Sequence, residues 1–158
     1  MITIKTKTVQ QSKVSVGYLM QREHANLAGN VHGGEIMKIM DNTAGIVAYK
    51  HSHAPKAVTA RVDQMEFHKP MYIGNLVTCE GKLIYVGNSS MEIQVTVWVE
   101  DIMKDDLPVK ALTAFFTMVA LDQARKPLQV PRLKIESDEE KKLFNEGEKR
   151  YRAYKEKK

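Results

Sequence analysis

Apolar residues recur at three- and four-residue spacing from Ile36 through Met37, Ile39, Met40, Ala44, Val47 and Ala48, which predicts one amphipathic helix. The run His51-Ser52-His53-Ala54-Pro55 ends it. Outside that stretch the period falls to two. Val14, Val16, Tyr18 and Met20 alternate before the helix, and Val58, Ala60 and Val62 alternate after it. Met91, Ile93, Val95, Val97 and Val99 give the cleanest alternation in the chain. Val77 to Tyr85 precedes it across Val86-Gly87-Asn88-Ser89-Ser90, so these two strands are expected to form an antiparallel hairpin. Ala111 to Leu121 is apolar on both faces, and its second face needs cover from another layer or another subunit. One early helix followed by long strands predicts an α+β fold, a curved antiparallel sheet wrapped around a long central helix.

Ser137-Asp138-Glu139-Glu140 has capping-box spacing and opens a very polar helix that ends in Arg150, Arg152, Lys155, Lys157 and Lys158. Residues 1–134 are therefore expected to form the folded domain, and 135–158 a polar, basic-ended C-terminal helix. Acid first and base last suits the helix dipole, so this helix is expected to be a solvated surface element. The net charge of +5 does not indicate nucleic acid once it is located. The last ten residues hold six of the 24 basic and one of the 19 acidic side chains, so the rest of the chain is neutral. A nucleic-acid reader would need clustered aromatics or a reading helix on a basic face, and Tyr151 and Tyr154 alone are thin support.

At 158 residues, with 43% hydrophobic and 27% charged residues, the composition is that of one globular domain. No apolar run reaches membrane-spanning length and no signal-type stretch follows Met1 to Lys7, so a cytoplasmic protein without membrane insertion is expected. The single Cys79 excludes an internal disulfide, and its strand context among Val77, Gly81 and Leu83 marks a core residue rather than a nucleophile.

The candidate chemistry lies on the early helix. Gly29-Asn30-Val31-His32-Gly33-Gly34 runs straight into it, and the first N–H groups of a helix have no internal partner, so they suit a phosphate or a developing oxyanion. No Gly-Lys-Ser/Thr ending follows, so this is not a nucleotide P-loop. Asp41 lies four residues after Met37 and three before Ala44, which places a carboxylate on the apolar side, where desolvation would favour general-base work. The alternative is that Asp41-Asn42 caps a second helix, but the apolar period runs through both positions without a break.

Several segments together resemble the hotdog-fold acyl-CoA thioesterases, and more closely the cytosolic acyl-CoA hydrolases of the brain and YciA type. The carrying residues are Gly29-Asn30-Val31-His32-Gly33-Gly34, Met37 with Met40-Asp41, Val62-Asp63-Gln64-Met65-Glu66-Phe67-His68-Lys69-Pro70, Val86 to Ile93, Pro131-Arg132, and the tail from Glu146 to Tyr151. The resemblance implies hydrolysis of an acyl-CoA to a free acid and coenzyme A, without a cofactor beyond the coenzyme A of the substrate. It further implies that Asp41 is the catalytic carboxylate and that Asn30 reaches it from the other half of a dimer. With both residues on one chain, a homodimer would hold two equivalent sites, and a trimer of dimers would follow the family.

Helix geometry leads the same way. Gly33 and Asp41 are eight residues apart, roughly 12 Å along a helix axis, whereas base and oxyanion donor must both lie about 3 Å from one carbonyl group. One helix cannot supply both, but two antiparallel helices of a two-fold dimer can. The expected mechanism has the Gly34 or Gly33 N–H polarise the carbonyl and Asn30 orient water or carbonyl. Asp41 then acts as general base or as nucleophile. His32 is a further candidate in the glycine loop. His51 and His53 are read as helix-end residues, and no metal site is expected. Gly87, Asn88, Ser89 and Ser90 could hold pantetheine or phosphates, with an ordinary hairpin turn as the competing reading. Arg61 and Arg132 are candidate phosphate partners. A non-catalytic acyl-CoA-sensing module is the alternative function.

Overall fold

The computed structural model describes residues 5–157. In chain order it contains β1 (Thr6–Thr8), α1 (Val9–Ser12), β2 (Val14–Leu19), α2 (Gly33–Ser52), β3 (Lys56–Asp63), β4 (Asn75–Val86), β5 (Ser90–Asp101), β6 (Val109–Leu121), β7 (Arg132–Lys134) and α3 (Asp138–Glu156). Five strands form one sheet in the order β2-β4-β5-β6-β3, every neighbouring pair antiparallel, while β1 and β7 pair in parallel apart from it. The expected α+β architecture is present, with α2 as its central helix.

The core forms where the two periodicities meet. Ile36, Ile39, Met40, Ala44, Val47 and Ala48 of α2 pack on the inward side chains of β4, β5 and β6, including Leu83, Ile93, Val95 and Phe116. Each such large apolar side chain contributes about 1.5–3 kcal/mol relative to exposure. The helix can approach this closely because Gly81 has no side chain; a Cβ there would stand 2.9 Å from Val47 and 3.0 Å from Thr43. The expected β4–β5 hairpin turns at Gly87, where a Cβ would collide with Ser90 Oγ at 2.5 Å. Cys79 is buried in the core as expected, and burial pushes its thiol up to about 11. His51 sits in the last turn of α2, as expected of a helix-end residue, and is buried. Its ring Nε2 lies 2.8 Å from the Pro131 carbonyl, and burial lowers its pKa.

Two expectations need correction. A period-two pattern through β3 puts Val58, Ala60 and Val62 on one face, but the register shifts between Thr59 and Arg61. An extra residue in a strand flips the face of all that follows. Val58 therefore pairs beside Val119 and Val62 beside Phe116, on opposite faces, while Thr59 turns toward α2 beside Met118. The second correction concerns α3, expected to be a solvated surface element. Its Leu143, Phe144, Gly147, Arg150, Tyr151 and Tyr154 recur at helical spacing on its inner side, and the helix crosses the outer face of the sheet. Phe144 meets Tyr85 edge-on at 5.0 Å, and Tyr151 lies 5.6 Å from the same ring. Arg150 sits 3.6 Å over Phe115, so α3 supplies part of the second cover that doubly apolar β6 requires. Tyr151 and Tyr154 are thus engaged with the sheet, not free for base stacking.

Between α3 and the sheet, Glu92 is buried beside Thr117, with Arg150, Arg61 and Asp63 nearby, and burial raises its pKa to about 7. A carboxyl with a raised folded pKa favours folding most at low pH, and that contribution is lost as pH climbs from the ordinary carboxylate value through 7. Glu92→Gln is therefore expected to be more stable than wild type by about 1–3 kcal/mol at pH 8, with the gap closing as pH falls toward 4.5. Urea midpoints of both proteins across that range check this. A gap that stays constant with pH would show that Glu92 does not titrate there.

Candidate active site

The loop before α2 is organised by Asn26. Its side-chain Oδ1 accepts from the Ala28 and Asn30 N–H groups at 3.0 and 3.2 Å, its backbone N–H donates to the Asn30 carbonyl at 2.8 Å, and its carbonyl accepts from Gly29 N–H at 3.1 Å. Gly29 closes this turn at φ 87°, where a Cβ would be strained. With Oδ1 committed to the backbone, the Asn26 amide is fixed in orientation, and its two Nδ2 protons are left as donors. Asn30 is half-buried; its backbone supports the turn and bridges to Tyr72. Sequence reasoning missed Asn26, although Asn followed three residues later by Gly is a turn signal.

His32 caps α2 without a side-chain hydrogen bond to the first turn, and its ring is exposed. The Gly33 and Gly34 N–H groups are thereby left open, as an oxyanion site requires. Asn26, Asn30, Gly33, Ile36, Phe67 and Met71 border a cavity of about 190 Å³ at this end of the helix.

Asp41 lies two turns further on. It does not share the buried arc of Ala44 and Ala48, as the spacing suggested; it stands just past the rim of that arc and is exposed in the single chain. Its Oδ1 accepts a 2.6 Å hydrogen bond from Thr59 Oγ1, and the same hydroxyl touches Met118 Sδ at 3.1 Å. Around it, Met37, Ile46 and Tyr49 are 38% to 47% exposed. A cavity of about 600 Å³ opens there against Asp41, Ile46, Tyr49, Val58, Thr59 and Met118. Exposed apolar surface beside a held carboxylate marks a ligand groove or a face that a partner covers.

Other expected residues fall elsewhere. Because α2 runs unbroken from Gly33 to Ser52, the open N–H groups and Asp41 of one chain stay about 12 Å apart along the axis. The Gly87–Ser90 turn lies in the transverse row Ser90–Val119–Val58, about 10 Å across two strand spacings from β3. Arg132 braces that turn from behind, donating to the Gly87 and Val130 carbonyls at 2.6 and 2.9 Å. Arg61 is held by Asp63 at 3.1 Å and lies 4.4 Å over the Tyr154 ring. Each of these candidate phosphate partners is already engaged within the fold, Arg61 through Asp63 and Tyr154 and Arg132 through the carbonyls of its turn. Among the described residues no three His, Cys, Asp or Glu side chains gather in a metal-binding group, and no helix is long and apolar enough to cross a membrane.

Residues 28–105 match the model of the thioesterase superfamily. The chain is 42% identical over 145 residues to the rat cytosolic acyl coenzyme A thioester hydrolase, a match that covers 91% of this chain but 38% of the rat protein. A Bacillus subtilis protein named as an acyl-CoA thioester hydrolase is 36% identical, with 92% of this chain and 83% of that protein covered. Among solved structures, a hexameric acyl-CoA thioesterase without ligand superposes with a TM-score of 0.90 at 28% identity, covering 98% and 97% of the two chains. The acyl-CoA hydrolase of Staphylococcus aureus, solved with butyryl coenzyme A and coenzyme A, gives 0.85 at 30% identity, covering 96% and 93%. The same hydrolase has been solved with an asparagine, an aspartate or a threonine replaced by alanine. The chain belongs to the acyl-CoA thioester hydrolases of the hotdog-fold thioesterase superfamily.

Proposed function

We propose that this protein hydrolyses acyl-CoA thioesters at a site assembled between two copies of the chain. One copy provides the N-terminus of α2 with its asparagine loop, and the other provides Asp41 with Thr59. The observation that carries this is the 2.6 Å bond by which Thr59 holds Asp41 on the uncovered flank of α2, well away from the open N–H groups of the same helix. A two-fold partner laid antiparallel on that flank brings the missing half and covers Met37, Ile46 and Tyr49.

In such a site the Gly33 or Gly34 N–H stabilises the carbonyl oxygen as charge develops. Asp41 takes the proton of an attacking water; a direct attack by the carboxylate would use the same geometry. The new carbon–oxygen bond forms, the carbon–sulfur bond breaks, and the leaving thiolate recovers the proton. Water is the only co-reactant this chemistry needs. The braced Gly87–Ser90 turn is the proposed rest for the pantetheine or phosphates, with His32 beside the carbonyl end. The similarity to hexameric thioesterases supports an assembly of three such dimers, and the cytosolic mammalian relatives support the same compartment.

The asparagine partner deserves reassignment. In the Staphylococcus aureus hydrolase the replaced asparagine and aspartate are fifteen residues apart, and the replaced threonine is seventeen further on. Here Asn26 and Asp41 are fifteen apart and Thr59 is eighteen further on, whereas Asn30 stands only eleven before Asp41. Together with the oriented Nδ2 of Asn26, this favours Asn26 over Asn30 as the side chain that meets the carbonyl or the water. Thiol release from short, medium and long acyl-CoAs tests activity and assignment at once. Asn26→Ala is expected to lower turnover by about two orders of magnitude and Asn30→Ala by less than tenfold, the scale of losing one positioned donor. The reverse ranking would restore Asn30, and an absence of thiol release by the wild type would leave acyl-CoA sensing as the function.

A further inference from the structure

We infer that α3 positions the catalytic edge of the sheet, with Tyr154 and Arg61 as its clamp; this rests on the role of Asp41 and Thr59 proposed above. Strand β3 lies at the sheet edge with β6 as its one neighbour, and its register with β6 is broken between Thr59 and Arg61. A broken ladder leaves the position of Thr59 poorly fixed by sheet hydrogen bonds alone. Its hydroxyl must nonetheless stay within tenths of an ångström of where it meets Asp41 at 2.6 Å.

The last turns of α3 lie over the strand just beyond the break. Arg61, the first residue back in register, is turned outward, bonded to Asp63 at 3.1 Å, and packed 4.4 Å over the Tyr154 ring. One turn earlier on α3, Arg150 packs 3.6 Å over Phe115, the β6 residue paired with Asp63. The two contacts run in opposite senses, a strand arginine onto a helix ring and a helix arginine onto a strand ring. Planar guanidinium groups stacked on aromatic faces hold orientation as well as distance. Both strands that carry the Thr59–Met118 pair are thereby tied to one rigid helix, two residues from Thr59 on β3 and three from Met118 on β6. Arg61 is accordingly a positioning residue, and the tail is part of the site's framework.

The test uses the full chain with Tyr154→Leu and Tyr154→Phe, assayed on butyryl-CoA beside wild type and Asp41→Asn. Tyr154→Leu is expected to lower kcat about fivefold with KM within about twofold, the scale of coupling through packed elements. Tyr154→Phe, which keeps the ring, is expected to retain most of the turnover. Amide hydrogen exchange in residues 56–63 is expected to quicken in Tyr154→Leu and not in Tyr154→Phe. Unchanged exchange in that segment, or a loss confined to KM, would overturn the clamp. Failure of Asp41→Asn to lose activity would instead overturn the function on which it rests, while the exchange result still decides whether α3 holds β3.

Discussion

Replacement of Asp41 by asparagine is expected to reduce acyl-CoA hydrolysis by about two or more orders of magnitude, the usual scale for a general base and the least expected for a nucleophile. The fold is expected to survive, because the asparagine Oδ1 can still accept the Thr59 hydroxyl proton that Asp41 Oδ1 accepts at 2.6 Å. Since the side chain is exposed in the single chain, no buried packing is disturbed. Binding of coenzyme A, measured by calorimetry, is expected to stay within a few-fold, because Asp41 is assigned to the acyl carbonyl and not to the nucleotide end. The combination separates chemistry from folding and binding. A variant that binds coenzyme A and retains more than a tenth of wild-type turnover would remove Asp41 from the mechanism.

Much of the framework could be read in the sequence because two local periods dominate it. The 3.6-residue spacing from Ile36 to Ala48 marks α2, and the alternation from Met91 to Val99 marks β5 and, with the Gly87 turn, its pairing with β4. Gly33 and Gly34 do open the helix as their spacing suggested. What escaped detection depends on events that no local period records. The irregularity in β3 moves Thr59 to the helix side, so the partner of Asp41 lay hidden in an apparently simple alternation of Val58, Ala60 and Val62. The exposure of Asp41 escaped for a related reason. A helix with apolar residues on a wide arc does not say which part its own sheet covers and which part it leaves open. The α3 helix looked solvated because mean polarity masks six spaced residues whose contacts with Tyr85, Phe115 and Arg61 exist only once the sheet has formed. Arg61 and Arg132 drew attention as candidate phosphate partners for the same reason, since the Tyr154 ring over Arg61 is remote in sequence and the carbonyl that Arg132 meets is set by a turn.

The central claim, that each site is shared between chains, makes an unusual demand on inactive variants. Asn26→Ala and Asp41→Ala, each nearly inactive alone, are expected to rescue one another when the chains assemble together. A mixed dimer holds one site with both defects and one site with neither. Random pairing makes about half of the dimers mixed, each with one of two sites intact, so activity is expected to return to roughly a quarter of wild type. Separately purified variants, mixed without exchange of chains, are expected to stay inactive and serve as the control. The decisive measurement is thiol release by the two variants co-expressed with different tags and recovered by tandem purification. Because tandem purification keeps only assemblies carrying both tags, activity of about half of wild type for isolated mixed dimers, or about a quarter where three randomly paired dimers are recovered together, is the outcome of a shared site; co-assembled chains as inactive as their parents would place Asn26 and Asp41 in the same chain's site and contradict it.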